Sequence, residues 1–304
     1  MAKVFGGCYP ALVTPMGEGD ALVRPVNQDA MNQLIDYVLR GGVDGILVAG
    51  CTGHASSMKW DEQLALMKNC LDHVSGKTKV IAGDGSNCTR EAIDAAKMIE
   101  DVGITTHLQI SPYQNKPMQE GLYQHYARIA SAISGEIILY NVPGRTAKNI
   151  EAETTIRLAK EFSNIIAIKE ASGSMEQIKK IIEGTQDIDF SVVSGDDKLN
   201  LEIIRAGGTG GISVAANIGP VRTSAVIHLA REGKYEEAGQ INRKLQELYR
   251  ILFIETNPQP AHYALRKIGI PVGVPRLPLI DVTEESKGQI DKVLLDLGLP
   301  GDEE

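Results

Sequence analysis

The sequence has few cysteines, and their spacing builds neither a disulfide framework nor a zinc site. Its 304 residues include four of them, Cys8, Cys51, Cys70 and Cys88, and no two form a C-x-x-C pair. The histidines show no ligand spacing either; they are His54, His73, His107, His125, His228 and His262. We therefore expect reduced thiols in a cytoplasmic protein, and no metal site.

Long apolar runs and basic runs are also missing. No apolar segment approaches the ~20 residues that cross a bilayer, and residues 1–15 carry one lysine and lack the apolar core of a signal peptide. Thirty-one basic residues stand against 39 acidic ones, a net charge of −8. This balance favours solubility and argues against nucleic acid as a partner. We expect a cytoplasmic protein with neither a membrane nor a nucleic-acid partner.

Eight short apolar runs with turn residues behind them do recur along the chain. They comprise the run around Val13 and residues 45–50, 79–83, 107–111, 136–141, 165–170, 190–195 and 210–215. Segments of helical period separate them. Residues 28–42 place four apolar side chains on one face and stop at a glycine, and these are Met31, Leu34, Ile35, Val38 and Gly41. Strands alternating with helices predict a parallel sheet.

Eight such units in about 230 residues are typical of a (β/α)₈ barrel. The alternative, a doubly wound nucleotide-binding sheet, would carry G-x-G-x-x-G after its first strand, and VTPMGEGD at 13–20 lacks that pattern. We therefore predict a (β/α)₈ TIM barrel over residues 1–232. Residues 233–304 read as three helices punctuated by prolines, and they form a C-terminal three-helix region.

The stretch IIAIKEASG at 165–173 places a lysine at the end of a predicted strand. Barrel enzymes work at the carboxyl ends of their strands, and side chains alternate along a strand. We expect Ile165, Ala167 and Lys169 to point into the barrel. Tyr140, at the end of the preceding strand, should meet Lys169 at the same rim. Cys51 and Thr52 should lie at this rim as well, because they follow the predicted strand in GILVAGCTG at 45–53.

A lysine in that position has two interpretations. It either extends to water along its aliphatic stem, or it serves as a nucleophile, because partial burial lowers the pKa of an amine. A neutral amine attacks a ketone and forms a Schiff base. The phenol of Tyr140 beside it is suited to move the protons that this step requires. The tyrosine and the strand-end position favour the nucleophile.

Four motifs together now make the chain recognisable. They are GCTGHASSM at 50–58, SPYQNKP at 111–117, YNVPGRTA at 140–147 and IIAIKEASG, followed by VSGDD and GGISVAANI. Together they resemble the dihydrodipicolinate synthase and N-acetylneuraminate lyase superfamily of pyruvate-dependent class I aldolases, across essentially the whole chain. The resemblance implies that Lys169 forms an imine with pyruvate, that Tyr140 relays protons, and that no external cofactor takes part. It also implies that Thr52, with Cys51 beside it, and the backbone near Gly195 and Ile212 line the pyruvate pocket.

YNVPGRTA is typical of the dihydrodipicolinate synthase branch. There, the arginine matching Arg145 holds the carboxylate of aspartate semialdehyde, and a planar guanidinium does grip a carboxylate with two parallel hydrogen bonds. The resemblance therefore implies condensation of pyruvate with L-aspartate 4-semialdehyde, in lysine and diaminopimelate biosynthesis. The alternative for Arg145 is a loop arginine paired with a surface acid.

Two positions depart from the family pattern. Cys51 stands where the family usually has a threonine, and Gln114, after Tyr113, stands where a second tyrosine usually reaches into the neighbouring subunit. A thiol is a weak donor and an amide does not ionise, so the relay is rewired, slowed or bridged by water. Two other functions stay open: a pyruvate aldolase for a different aldehyde, and a ligand-binding relative without turnover. The resemblance also implies a homotetramer, a dimer of dimers.

An effector site for lysine is the last implication of the resemblance. The matching positions are Trp60, Asn87, Glu91 and Tyr113, which suit an amino acid: an acid for the amine, an amide for the carboxylate and a ring for the aliphatic stem. Ala55 and Gln63 depart from the lysine-sensitive bacterial pattern. The alternative for Trp60 is a packing residue at a helix entry.

Overall fold

Eight parallel strands form one closed sheet in the computed structural model, which describes residues 5–299. The strands are β1 (Gly7–Pro10), β2 (Gly45–Val48), β3 (Lys79–Gly83), β4 (Thr106–Ile110), β5 (Glu136–Asn141), β6 (Ile165–Glu170), β7 (Ser191–Ser194) and β8 (Gly210–Ser213). Their order is β1-β8-β7-β6-β5-β4-β3-β2. A parallel bridge between Ala11 and Leu47 closes the ring between β1 and β2. The predicted (β/α)₈ barrel is confirmed, and each strand overlaps a predicted run.

Twelve α-helices lie within residues 5–299. They are α1 (Gln28–Arg40), α2 (Trp60–Val74), α3 (Thr89–Val102), α4 (Gln119–Ala130), α5 (Pro143–Thr146), α6 (Ala152–Glu161), α7 (Met175–Gly184), α8 (Asn200–Arg205), α9 (Pro220–Arg231), α10 (Tyr235–Ile251), α11 (Gln259–Lys267) and α12 (Glu284–Asp296). None of these helices combines the length and the apolar character that a membrane crossing needs.

The helical C-terminal segment is also confirmed, because α10, α11 and α12 follow residue 232. Leu245, Leu248 and Tyr249 of α10 are buried in the same apolar cluster as residues of α1 and β2. The division into regions 1–232 and 233–304 stays a prediction, and residues 1–4 and 300–304 of these regions lie outside the described residues.

The sequence of α1 shows how a barrel helix is specified. Asn27 caps the helix by accepting a hydrogen bond of 3.0 Å from the backbone N–H of Ala30. The four apolar side chains that share its predicted face are fully buried; they are Met31, Leu34, Ile35 and Val38. The helix ends at Arg40, before Gly41, as the periodicity predicts.

One extra residue in β6 changes which side chains face the barrel interior. Ile137 of β5 pairs with Ile165, but the next residue, Ile138, pairs with Ala167, so Ile166 has no partner across the β5–β6 ladder. Two residues thus oppose one, as in a β-bulge. The inward face predicted for Ile165 is wrong, because Ile165 packs in the outer cluster between sheet and helices. Ala167 lies inside the barrel, and Ile166 packs against that interior cluster.

Candidate active site

A cavity of about 310 Å³ opens at the carboxyl ends of the strands. It is the position where barrel enzymes place their chemistry. The predicted residues that line it are Cys51, Thr52, Tyr140, Arg145, Lys169 and Gly195. Val142, Ala171, Asp196, Lys198, Val214, Phe253 and Asn257 also contribute to the wall. We call this the catalytic cavity.

Lys169 and Tyr140 are direct partners across β5 and β6. The Nζ atom of Lys169 lies 4.4 Å from the centre of the Tyr140 ring. Both side chains are buried, at 6% exposure each. The lysine therefore does not extend into water, which removes the first interpretation of its position at the strand end.

Burial sets the protonation of this pair. Loss of hydration lowers the pKa of Lys169 to about 8, with Arg145 acting in the same direction and Cys51 and Asp197 opposing it. Burial also raises the pKa of Tyr140 well above its usual value, and the neighbouring Cys51 adds to that effect. Burial thus raises the fraction of neutral amine at Lys169 and keeps the phenol of Tyr140 protonated, as imine chemistry requires.

Thr52 lies in the loop after β2, which three contacts hold in place. Asn257 donates from Nδ2 to the Thr52 hydroxyl oxygen over 3.0 Å. Thr14 donates from Oγ1 to the carbonyl of Gly53 over 2.5 Å. His54 lies 3.0 Å from His262 of α11, Nε2 to Nε2. Because Asn257 occupies a lone pair of the Thr52 oxygen, the hydroxyl hydrogen stays available to a carboxylate in the cavity.

Arg145 lies on α5, a single helical turn that follows β5. It donates from Nη2 to the carbonyl of Asn257 over 3.1 Å. Its side chain reaches both the catalytic cavity and a second, neighbouring cavity. The guanidinium has five N–H groups, so donors remain for a carboxylate. No acid partner is recorded for it in the described part of the chain, unlike the ion-paired surface arginine of the alternative interpretation.

Gly195 and Ile212 occupy different depths. A Cβ atom on Gly195 would lie 3.0 Å from Cε of Lys169 and 2.8 Å from Cβ of Ala171. The absence of a side chain at 195 therefore leaves room for the lysine. Ile212 is buried in the interior cluster beneath the cavity, and Val214, two residues on, reaches the wall.

The second cavity, of about 390 Å³, adjoins the first and shares Cys51, Tyr140 and Arg145 with it. Trp60, Glu91 and Tyr113 line it, as do Ala55 and Gln63. Trp60 donates from Nε1 to Glu91 over 3.5 Å, and it also packs against the apolar core at the start of α2. Asn87 donates from Nδ2 to the Tyr113 carbonyl over 3.1 Å. We call this the effector cavity.

The loop over residues 111–117 starts buried at Ser111 and is exposed over residues 113–116. Tyr113 is 40% exposed, and Gln114 is exposed with a left-handed φ of 71°. Asn115 donates from Nδ2 to the Asn87 carbonyl over 2.8 Å. This hydrogen bond and the one from Asn87 to Tyr113 fix the base of the loop, while the side chain of Gln114 remains at the surface of the protomer.

Two residues of this region were not predicted from the sequence as functional. Asn257 bridges Thr52 and Arg145, although its signal was only a position among prolines that break the helical pattern. Asp197 accepts from the backbone N–H groups of Val214 and Ala215 at 3.0 and 2.8 Å, which fixes the end of β8. Its only signal was the VSGDD motif. Residues 5–299 contain no cluster of three or more metal-ligating side chains.

Comparisons with known proteins agree on one family. Residues 4–296 match the model of the dihydrodipicolinate synthetase family. The 4-hydroxy-tetrahydrodipicolinate synthase of Methanocaldococcus jannaschii is 43% identical, over 97% of this chain and all of that protein. The solved dihydrodipicolinate synthase of Cyanidioschyzon merolae with lysine bound is 41% identical, with a TM-score of 0.92 over 97% of this chain and 99% of that one. A monomeric dihydrodipicolinate synthase variant is 36% identical, with a TM-score of 0.93 over 97% of each chain.

Proposed function

Because the chain belongs to the dihydrodipicolinate synthetase family, we propose that its catalytic cavity condenses pyruvate with L-aspartate 4-semialdehyde through an imine on Lys169. The activity is that of a 4-hydroxy-tetrahydrodipicolinate synthase, a lyase of lysine and diaminopimelate biosynthesis. The observation that carries the mechanism is the buried amine of Lys169, 4.4 Å from the Tyr140 ring, in a cavity that Thr52 and Arg145 also line.

Imine formation is the first step. The neutral amine of Lys169 attacks the C2 ketone of pyruvate, and the carbinolamine loses water to give the imine. With a pKa of about 8, about one amine in ten is neutral at pH 7. The Thr52 hydroxyl and the backbone of its loop hold the pyruvate carboxylate. Tyr140 passes a proton to the departing water.

Carbon–carbon bond formation follows. Loss of a C3 proton turns the imine into an enamine, whose C3 attacks the aldehyde carbon of aspartate semialdehyde. Arg145 binds the carboxylate of that substrate with two parallel hydrogen bonds. The substrate amine then displaces Lys169 at C2 and closes the ring, which regenerates the free lysine. One water leaves overall, and the covalent imine takes the place of an external cofactor.

In the proton relay around Tyr140, Cys51 occupies the position where the family usually has a threonine hydroxyl. Cys51 contributes to the raised pKa of Tyr140, so the thiol stands next to the phenol that moves protons. Gln114 and Tyr113 are exposed on one protomer. We propose that they face the site of a neighbouring subunit in a homotetramer of the cytoplasm. Sedimentation equilibrium should give the tetramer mass, and a monomer mass would contradict this assembly.

The test is a proton NMR time course in D₂O with pyruvate and aspartate semialdehyde together. We expect both substrates to disappear and a cyclic product to form. Fading of the pyruvate methyl signal alone would mean that Lys169 forms its enamine but takes another aldehyde. No change in either substrate would contradict turnover and favour a ligand-binding relative.

An Arg145→Lys variant makes the same experiment specific for the aldehyde. Lysine keeps the charge but lacks the planar pair of donors. The variant should exchange the pyruvate methyl protons within about twofold of the native rate, while consumption of the semialdehyde falls by about 10- to 100-fold, the value of a charge-assisted pair. Equal losses of both rates would assign Arg145 to pyruvate instead.

We also propose that the effector cavity binds lysine, with Glu91 facing its amine and Trp60 its aliphatic stem. The cavity shares Tyr140 and Arg145 with the catalytic cavity, so an occupant there contacts the groups that carry the reaction. Millimolar lysine should inhibit the native enzyme and should inhibit a Glu91→Gln variant less. Unchanged rates in the presence of lysine would contradict the assignment.

A further inference from the structure

A buried carboxylate lies directly behind the catalytic lysine. Glu170 is the last residue of β6 and is 1% exposed. Because successive side chains of a strand point to opposite faces, Glu170 points out of the barrel wall while Lys169 points into the cavity. A buried carboxylate requires hydrogen bonds that replace its lost hydration. The identity of its donors therefore indicates what the residue does.

Three neutral donors converge on Glu170. Asn141 donates from Nδ2 to Oε1 and Oε2 over 3.0 and 3.1 Å. The backbone N–H of Ser172 donates to Oε1 over 2.8 Å, and Gln177 of α7 donates from Nε2 to Oε2 over 2.8 Å. A carboxylate only accepts hydrogen bonds. The Asn141 and Gln177 amides and the Ser172 backbone therefore all direct an N–H group toward Glu170.

The first arm of this network fixes the register of the two catalytic strands. Asn141 and Glu170 are partners across β5 and β6, one residue beyond the pair Tyr140 and Lys169. The side-chain bonds between Asn141 and Glu170 therefore lock the strand ends at the position where the phenol and the amine face each other. Gly195 adds a backbone link, because its N–H donates to the Glu170 carbonyl over 2.8 Å.

The second arm reaches the segment that follows α5. Asn141 also donates from Nδ2 to Asn149 Oδ1 over 2.8 Å and accepts on its own Oδ1 from the Ile150 N–H over 2.9 Å. Asn149 donates from Nδ2 to Gln177 Oε1 over 2.7 Å. This segment follows the helical turn that carries Arg145, so the network joins β5 and β6 to the chain directly after that turn.

We infer that Glu170 is a positioning residue, whose carboxylate, through Asn141, holds Lys169 and Tyr140 in the geometry that imine formation needs. The inference rests on the proposed function. A role in folding alone would lower stability and leave the chemistry of folded molecules unchanged. A positioning role lowers kcat at an unchanged pyruvate KM, because Glu170 touches neither substrate nor reacting atoms.

The first test is Glu170→Gln, which keeps the shape but turns one acceptor into a donor that faces other donors. We expect kcat to fall by about 10- to 100-fold, as misplacement of reacting groups does, with the pyruvate KM within about twofold of native. The double variant Asn141→Asp with Glu170→Gln exchanges donor and acceptor across the same pair. It should recover at least about fivefold of the lost kcat, because the bond between the two strand ends is restored.

A matched control and a substrate-free readout complete the design. Glu136→Gln changes a carboxylate at the opposite end of β5, which pairs with Lys79, and should keep kcat within about twofold. Competitive acetylation compares the reactivity of Lys169 with that of Lys198 in the same protein without substrate. In Glu170→Gln the ratio of Lys169 to Lys198 labelling should fall several-fold.

The outcomes separate this inference from the proposed function. Native kcat and native labelling in Glu170→Gln would overturn the positioning role. So would a double variant that recovers the melting temperature without recovering kcat. If the native protein itself fails to exchange pyruvate protons, the proposed function fails, and the labelling ratio alone decides whether Glu170 positions Lys169.

Discussion

The basicity of Lys169 depends on its buried surroundings. The chain has many lysines, but burial removes the hydration that stabilises an ammonium group, and this lowers the pKa of Lys169 to about 8. The lysine and the tyrosine were predictable because the strand pattern and the family motifs place them. The cause of the shifted pKa was not, because it depends on wall residues from several distant segments.

The pH dependence of imine formation follows from that pKa. Only the neutral amine attacks pyruvate, so the rate of imine formation should rise about tenfold per pH unit below 8 and level off above it. Borohydride quenching of the pyruvate imine between pH 6 and 9, with mapping of the labelled peptide, measures this profile. A rate that still rises about tenfold between pH 8 and 9 would show a lysine of ordinary basicity.

Gly195 illustrates a residue whose importance is purely steric. In Gly195→Ala the new methyl group would press on Cε of Lys169 at 3.0 Å and on Ala171 at 2.8 Å, and no flexible surface group can yield there. We expect imine formation to fall by at least about 100-fold, as reacting groups displaced by about 1 Å lose that much, in a protein that remains folded by circular dichroism.

Gly288→Ala is the matched control for Gly195. A Cβ at 288 meets nothing within 4 Å in α12, so activity should stay native and the melting temperature should stay equal or rise slightly, since alanine favours helix. A Gly195→Ala variant with native imine formation would show that the lysine has more room than its contacts indicate.

At the scale of elements, the loop after β2 depends on a histidine pair that it forms with α11. Nδ1 of His262 lies 3.1 Å from the Gly273 carbonyl, which only accepts, so that nitrogen carries the hydrogen. His262 Nε2 then accepts from His54 Nε2–H over 3.0 Å. Burial lowers the pKa of His54 to about 4, with Arg276 acting in the same direction.

The same burial lowers the pKa of His262 well below its usual value, with His54 and Arg266 acting in the same direction. Both arginines near the histidine pair are themselves ion-paired, Arg276 with Glu62 and Arg266 with Asp281. The histidines were scattered in the sequence, and the pair could not be predicted because it joins segments 208 residues apart.

Acid should therefore weaken the fold through this pair. The folded-state pKa of His54 lies below the unfolded value near 6.5, so its contribution is complete above pH 6.5 and is lost as the pH falls toward 4. Between pH 8 and 5 the loss from His54 alone is about 2 kcal/mol. Urea unfolding of His54→Asn, a residue that tolerates the left-handed φ of 58°, should show a shallower pH dependence than the native protein.

His73→Asn is the comparison for this measurement. His73 lies half-buried on α2 beside Asp36, away from the pair, and its variant leaves the contact between His54 and His262 in place. Parallel curves for His54→Asn and the native protein would contradict the assignment.

Element boundaries follow the sequence where the pattern is long. The bounds of β5 and β6 coincide with predicted runs, and α1 begins at residue 28 and ends before Gly41 as predicted. Buried strands read as continuous apolar runs, and amphipathic helices repeat every 3.6 residues. The four residues of α5 carry no such repeat. Arg145 therefore lies on a helical turn that no periodicity in the sequence indicated.

At the scale of the whole molecule, the C-terminal segment completes the site that the barrel begins. Asn257 lies between α10 and α11, 205 residues from Thr52, and bonds to its hydroxyl. The barrel itself was predictable from the alternation of strands and helices. The contact between Asn257 and the barrel mouth was not predictable, because no local sequence pattern indicates which distant segment covers the mouth.

Removal of the Asn257 side chain should weaken pyruvate binding. In Asn257→Ala the Thr52 hydroxyl loses the partner that orients it, and we expect the pyruvate KM to rise by about 5- to 10-fold, the value of one hydrogen bond. Combination with Thr52→Ala in a double-mutant cycle tests the coupling. Additive effects of the two changes would mean that Asn257 acts elsewhere.

The unpaired Ile166 in β6 determines which face of the strand Lys169 occupies. The strand enters with Ile165 directed outward and leaves with Lys169 directed inward, a parity that a regular strand of the same length would reverse. Straightening the bulge without removing a residue would turn the amine toward the helices while leaving every catalytic side chain in the sequence. The inward direction of Lys169 therefore depends on the bulge and on the residue count between Ile165 and Lys169 together. Removal of Ile166 would leave a regular strand that still directs the amine inward, whereas removal of one more residue would direct it toward the helices.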